Sequence, residues 1–240
     1  MNTAQRFRLS IFVPKSTQSP GSITSNTMSR ATQLSQARAS VDSKQCMSIY
    51  EKWASTYNDD LAESTGNYVA PVLAAQAALR FGSDNPAKAV ILDAGCGTGL
   101  VGQALSRGGA TIIDGVDLSP HMLKVAEKTG AYQNLTVGDL TQPIDALEDF
   151  YDIVMCVGTF THGHVGPDPA LREFVRVAKR GGLIVATIID ELWVSGGFKA
   201  EVEKLEAEDL IRVVSMELED YVKGRGDKAT LVILEKNSTA

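Results

Sequence analysis

The stretch AKAVILDAGCGTGLVGQALSRG, residues 87–108, constrains the fold more than any other part of the chain. An apolar run ends at Asp93, six residues of glycine-rich turn follow, and a helical pattern begins at Leu100. Strand, tight glycine turn and helix in that order form the first unit of a parallel α/β sheet, whose ligands lie at the carboxyl ends of the strands. Two glycine spacings overlap here. Gly97, Gly99 and Gly102 make G-x-G-x-x-G, whereas Asp93, Gly95, Gly97 and Gly99 make D-x-G-x-G-x-G.

The alternation continues downstream. TIIDGVDL reads as a strand leading to a helix with Ser119 as N-cap and Pro120 at its first position. NLTVGD is a third strand, followed by a connector of undecided form around PIDALEDF. YDIVMCVG precedes a helix capped by Asp168, opened by Pro169 and stopped at Gly181-Gly182, and LIVATII is the fifth strand. Helices between successive strands imply a parallel sheet covered on both faces. After the helix GFKAEVEKLEAED, the strands LIRVVSMELEDYV and ATLVILEK are joined by KGRGDK, a turn short enough only for antiparallel neighbours. The predicted fold is α/β, a Rossmann-like doubly wound sheet of seven mostly parallel strands with a C-terminal antiparallel hairpin and an N-terminal helical lid.

Three segments are expected. Residues 1–43 hold few large apolar side chains after Val13, and residues 1–41 carry five basic and no acidic ones, so this segment is expected to be disordered. Their composition fits a variable tail of a cytoplasmic protein and also a mitochondrial transit segment. Residues 44–84, with Met47, Tyr50, Trp53, Ala54 and Tyr57 at helical spacing and a second helix APVLAAQAALRFG, form the lid. Residues 85–240 form the main domain. Without the tail's five cations, 18 basic residues face 29 acidic ones. That balance disfavours nucleic acid as a partner, and no apolar run reaches the roughly 18 residues of a membrane span. Cys46, Cys96 and Cys156 are too few and scattered for a disulfide framework. Cys96 and Cys156 sit among apolar residues and read as packing groups rather than nucleophiles.

The choice between the two glycine patterns is electrostatic. A pyrophosphate needs bare N–H groups and no carboxylate nearby. S-adenosylmethionine carries an ammonium, a carboxylate and a sulfonium but no phosphate. Asp93 at the strand end repels a pyrophosphate but supports an ammonium, directly or through water. Asp117, twenty positions after Gly97, suits ribose hydroxyls of either cofactor. Asp139 at the third strand end suits the adenine amino group. The methyl donor is the better ligand.

With these features in order, residues 88–236 resemble class I S-adenosylmethionine-dependent methyltransferases in their seven-stranded form. YEKWASTYNDDL and NYVAPVLAA near the start, and GTFTHGHVGPDPALREFVRVAKRGGLIVATIIDELW (158–193), are similar to the methyltransferase-like proteins of the Williams–Beuren syndrome region. Asn58 departs from that pattern, which often has Asp there. The resemblance implies a donor site of Tyr57, Asp93, Gly95, Cys96, Gly97, Gly99, Asp117, Leu118, Asp139, Leu140 and Val157, with Trp53 a further lid residue. It also implies a small-molecule acceptor.

Methyl transfer needs a collinear, water-free arrangement, and a base only when the acceptor must lose a proton. His162 and His164 in THGHVG titrate near neutrality and are the candidate bases. Either can instead shape the loop, and no metal site is expected because further ligands do not follow at usual spacing. His121 reads as a surface or packing residue. Tyr68, Thr161, Asp190 and Trp193 are candidate acceptor contacts, with Glu191 beside them. The expected function is O-, N- or C-methylation of a small molecule. The alternative is donor binding without transfer, either regulatory or using the sulfonium charge for a rearrangement or cyclisation.

Overall fold

The structure is a computed structural model that describes residues 68–161, 165–222 and 226–239. Helix α1 (Ala70–Gly82) and a 3-10 turn (Pro86–Lys88) lead into β1 (Val90–Ala94), α2 (Leu100–Arg107), β2 (Ile112–Asp117), α3 (Pro120–Glu127) and β3 (Asn134–Val137). Then come β4 (Tyr151–Phe160), α4 (Ala170–Val177), β5 (Ala178–Ile189), α5 (Asp190–Ser195), α6 (Phe198–Ala207), β6 (Ile211–Asp220) and β7 (Lys228–Lys236).

The seven strands form one sheet in the order β3-β2-β1-β4-β5-β7-β6. Pairs among β1 to β5 are parallel, and β7 runs antiparallel to both β5 and β6. From β1 the chain first winds toward β3 and then, from β4, in the opposite direction. The crossovers on either side of that reversal leave a crevice at the carboxyl ends of β1 and β4, the ligand position of open α/β sheets.

Side-chain alternation builds the two layers. Ile91, Ile153, Met155, Leu183 and Val185 face α1 and α2, meeting Ala74, Ala75, Ala78, Val101 and Leu105. Leu92, Val154, Cys156, Ile184 and Ala186 face the other way, toward Leu171, Phe174, Phe198 and Leu205 of α4 and α6. Phe160 lies fully buried between Phe174 and Phe198, with ring centroids 6.0 and 4.7 Å away. Each such ring contributes roughly 3 kcal/mol or more against truncation to Ala.

Local signals fix most boundaries. Ser119 caps α3, its Oγ accepting the Met122 N–H at 3.3 Å, with Pro120 next. Elsewhere tertiary contacts override them. Asp168 does not cap α4, and α4 stops at Val177 rather than at Gly181-Gly182. Ala178 already pairs with Tyr151, and residues 179–182 bulge before pairing resumes at Ile153–Leu183. The bulge lets Lys179 reach Asp152 at 2.7 Å. Helix α1, at the end of the 44–84 segment, packs its alanine stripe into the sheet's core. Residues 44–67 of that segment, with Trp53, Tyr57 and Asn58, and the tail 1–43 lie outside the described residues. No described helix is long and apolar enough to cross a membrane.

Candidate functional site

The glycine loop hangs from β2, because the Gly95 and Cys96 N–H groups both donate to the Val116 carbonyl, at 2.7 and 3.0 Å. Gly95 is pressed against the end of β4, and a Cβ there would stand 2.1 Å from Thr159 Oγ1. Gly97 has φ +53° and no atom within 4 Å of where its Cβ would be. Its backbone therefore faces open space. That space is a cleft walled by Gly95, Cys96, Gly97 and Thr98 of the loop, Asp117 and Leu118 after β2, Asp139 and Leu140 after β3, and Val157 to Thr159 of β4. Tyr68, Pro71 and Val165 close its far side.

The three expected carboxylates take different positions. Asp117 lines the cleft, with Oδ2 accepting the Gly97 N–H and Oδ1 the Ser119 N–H, both at 2.8 Å. Each oxygen keeps a second lone pair for a ligand hydroxyl. Asp139 uses Oδ1 for both the Thr141 N–H (2.9 Å) and the Thr141 hydroxyl (2.7 Å), leaving Oδ2 to accept from a ligand amine. Asp93 departs from expectation. It is wholly buried beneath the loop, paired in register with Gly115 and Met155, and does not line the cleft. Its Oδ2 accepts the Tyr132 hydroxyl at 2.7 Å, while Oδ1 has no hydrogen-bond partner. Burial raises its pKa to about 7, helped by repulsion from Asp117 and opposed by the Tyr132 hydrogen bond. Burial also raises Asp117, against its two backbone hydrogen bonds. Gly99 likewise lies outside the cleft wall; it is the N-cap of α2, packed against Thr129 and Tyr132. Cys96 and Cys156 are buried thiols pushed well above the ordinary range by desolvation, which suits packing and not nucleophilic attack.

Known proteins match this arrangement. Residues 92–186 match the family model of the methyltransferase domain. A TehB-like S-adenosylmethionine-dependent methyltransferase from Corynebacterium glutamicum shares the fold, with TM-score 0.56 and 24% identity over 79% of this chain and 99% of that one. Residues 92–186 are thus similar in sequence to methyltransferase domains, and the chain shares the fold of that solved structure. Human methyltransferase-like protein 27 is 40% identical over 147 residues, 61% of this chain and 58% of that protein. A ubiquinone biosynthesis O-methyltransferase from Coxiella burnetii is 32% identical over 105 residues, 42% of this chain and 43% of the relative. The chain thus spans less than two thirds of the length of these curated relatives.

At the far side of the cleft, Tyr68 lies at the tip of β4. A Cβ on Gly158 would come within 2.6 Å of its hydroxyl. Tyr68 bridges to Val222 and donates to the Tyr221 hydroxyl at 3.2 Å, the two rings meeting edge to face. Tyr221 carried no sequence signal, since its place depends on the β6–β7 hairpin folding back over β5. The other expected acceptor contacts lie elsewhere. Thr161 is half-buried and outside the cleft wall. The chain turns directly from β5 into α5, which leaves Asp190 exposed in the helix's first turn and lays Trp193 against the core. Glu191 is exposed in the same turn, and His121 is exposed on α3. His162 and His164 fall outside the described residues; Thr159 and Val165, which line the cleft, bracket them in sequence. No cluster of three metal-ligating side chains occurs among the described residues.

Proposed function

We propose that this chain binds S-adenosylmethionine in the cleft and transfers its methyl group to a small-molecule acceptor entering beside Tyr68. One observation carries the reading: among the described residues, the cleft's charged wall is Asp117 and Asp139, with Asp93 buried behind the loop and no Lys, Arg or His facing it. Such a wall favours a ligand with positive charge and opposes a pyrophosphate, whose two phosphates would meet carboxylates without a compensating cation.

The residues fit the donor. Asp117 has lone pairs for a ribose diol, Asp139 Oδ2 has one for an exocyclic amine, and the open face of Gly97 leaves room for backbone contact. Leu118, Leu140 and Val157 supply apolar walls for the base. When bound, the donor supplies an electrophilic methyl carbon. The protein's share is to orient the acceptor, exclude water, and take a proton where the acceptor has one to lose. Tyr68 at the rim orients; His162 or His164 is the base. The acidic cleft and the acid-rich chain also argue for an uncharged or cationic acceptor rather than a polyanion.

Titration of the purified full chain with S-adenosylmethionine and with NADH tests the donor. Binding of the first alone is expected, and binding of NADH alone reverses the reading. Asp117→Ala should weaken donor affinity by about tenfold or more while the far-ultraviolet circular dichroism stays native, since a charged hydrogen-bonding group is lost. S-adenosylhomocysteine formation across an acceptor panel tests transfer.

A further inference from the structure

We propose that Tyr132 is a positioning residue for the donor site, locking the Asp93 carboxylate and the first turn of α2 to one phenolic hydroxyl. Tyr132 lies between α3 and β3 and is no part of the cleft wall. Its hydroxyl donates to Asp93 Oδ2 at 2.7 Å and accepts the Gly102 N–H at 3.2 Å. That N–H belongs to the first turn of α2, where backbone donors lack intrahelical partners. The N-cap of α2 is Gly99, which has no side chain to cap it. Tyr132 takes over that task from thirty residues away.

Three glycines are shaped around this ring. A Cβ on Gly102 would lie 2.3 Å from Tyr132 Cζ, one on Gly115 of β2 3.0 Å from Cδ1, and one on Gly99 3.1 Å from Cε2. The third glycine of the apparent G-x-G-x-x-G pattern thus makes room for a phenol. It does not open a path to a pyrophosphate. The pattern's resemblance to a dinucleotide turn is a consequence of this packing.

The hydroxyl also sets the charge under the loop. Asp93 is faced by Asp117 from β2, the Cys96 thiol from the loop, the Cys156 thiol from β4 and Tyr132 itself. Burial holds both thiols and the phenol in their neutral forms, so Asp117 is the facing charge among the described residues. The Tyr132 hydrogen bond opposes burial and Asp117 and keeps Asp93 ionisable near neutral pH. Without it Asp93 retains its proton to higher pH, and the loop loses the negative charge that a cationic donor answers.

The inference rests on the donor reading above, and Tyr132→Phe tests it, because Phe keeps the ring and deletes only the hydroxyl. Calorimetric titration of the full chain with S-adenosylmethionine from about pH 6 to about pH 9 should show affinity weakened about tenfold near neutrality and largely restored at the alkaline end. Unchanged affinity throughout, or a loss of equal size at every pH, overturns the proposal. The second result would mark a merely structural ring. Carboxyl-carbon NMR of ligand-free protein separates this from the donor reading. Asp93 should titrate near neutrality in the wild type and higher in Tyr132→Phe whether or not the donor binds, and an identical midpoint in both overturns the proposal. If Tyr132→Phe does not fold, Gly102→Ala, which crowds the ring off Asp93, should raise the same midpoint; no change there is equally fatal.

Discussion

The two ends of the sheet treat their carboxylates in opposite ways. At the carboxyl ends, buried Asp93 and half-buried Asp117 lie close enough to repel, with both pKa values raised by desolvation. At the amino end of β4, Asp149, Asp152 and Glu173 each meet a cation: Lys236 at 2.7 Å, Lys179 at 2.7 Å and Arg176 at 2.8 Å. Hydrogen bonds from Lys236 and Arg176 hold Asp149 and Glu173 below the usual carboxylate range. Arg176 also donates to the Ala146 and Ile144 carbonyls, while Glu173 accepts the Ile144 N–H. That clamp gives the connector before β4 a fixed path without helix or strand. Paired charges at one end hold the chain together; at the other, Asp93 and Asp117 have hydrogen bonds but no cation among the described residues, at the expense of the protein's stability.

The largest expected effect falls on the unpaired end. Asp93 moves from 3.8 to about 7 on folding, so native protein binds this proton more tightly than unfolded chain does. Between about pH 4 and pH 7 the contribution of this group to stability therefore falls as pH rises, by at most about 4 kcal/mol. Denaturant unfolding of Asp93→Asn at about pH 5.5 and about pH 8 should show a flatter profile and a ligand-free protein more stable than wild type on the alkaline side. Donor affinity should fall in the same variant. A wild-type protein whose stability rises through this window, with Asp93→Asn unable to change it, would remove the contrast between the two ends.

At the paired end the sign reverses. The folded pKa of Glu173 is depressed, so its contribution is present above the unfolded value of about 4.5 and is lost as pH falls through the lower folded one. Arg176→Ala should cost about 2 kcal/mol near neutrality, from charged hydrogen bonds lost at a partly buried site, and should weaken the acid limb of the stability profile. Donor affinity should be unaltered, and a loss of affinity would mean the two ends are coupled. The smallest effect is expected at the exposed Arg212–Glu235 pair on the hairpin, where Arg212→Ala should change unfolding free energy by less than about 1 kcal/mol. A larger cost would show that exposed ion pairs here act like the Arg176 clamp.

Legibility followed the range of the interactions involved. The loop's strand–turn–helix order, the Ser119-Pro120 start of α3 and the cleft positions of Asp117 and Asp139 were readable because each depends on residues within one or two turns of its neighbours. Asp93 stands out in the sequence as a candidate donor contact, but its burial does not, since that depends on β2, β4 and Tyr132 surrounding it. Asp190 follows the fifth strand as expected, but β5 passes without a loop into α5, which carries Asp190 and Trp193, and nothing near Ile189 in sequence marks that transition. Tyr132 and Tyr221 were invisible for the same reason: a tyrosine is given its role by what arrives opposite it.

By itself, the sequence determined the alternation of strands and helices, the parallel sheet with its terminal hairpin and the acidic character of the cleft, because periodicity, turn residues and charge act locally. The tertiary structure alone decided that β7 inserts between β5 and β6, that Asp93 lies under the loop, and that one phenol spans three glycines. Those outcomes depend on which distant surfaces fill the space beside a short residue, and close packing settles that only when the whole chain has folded.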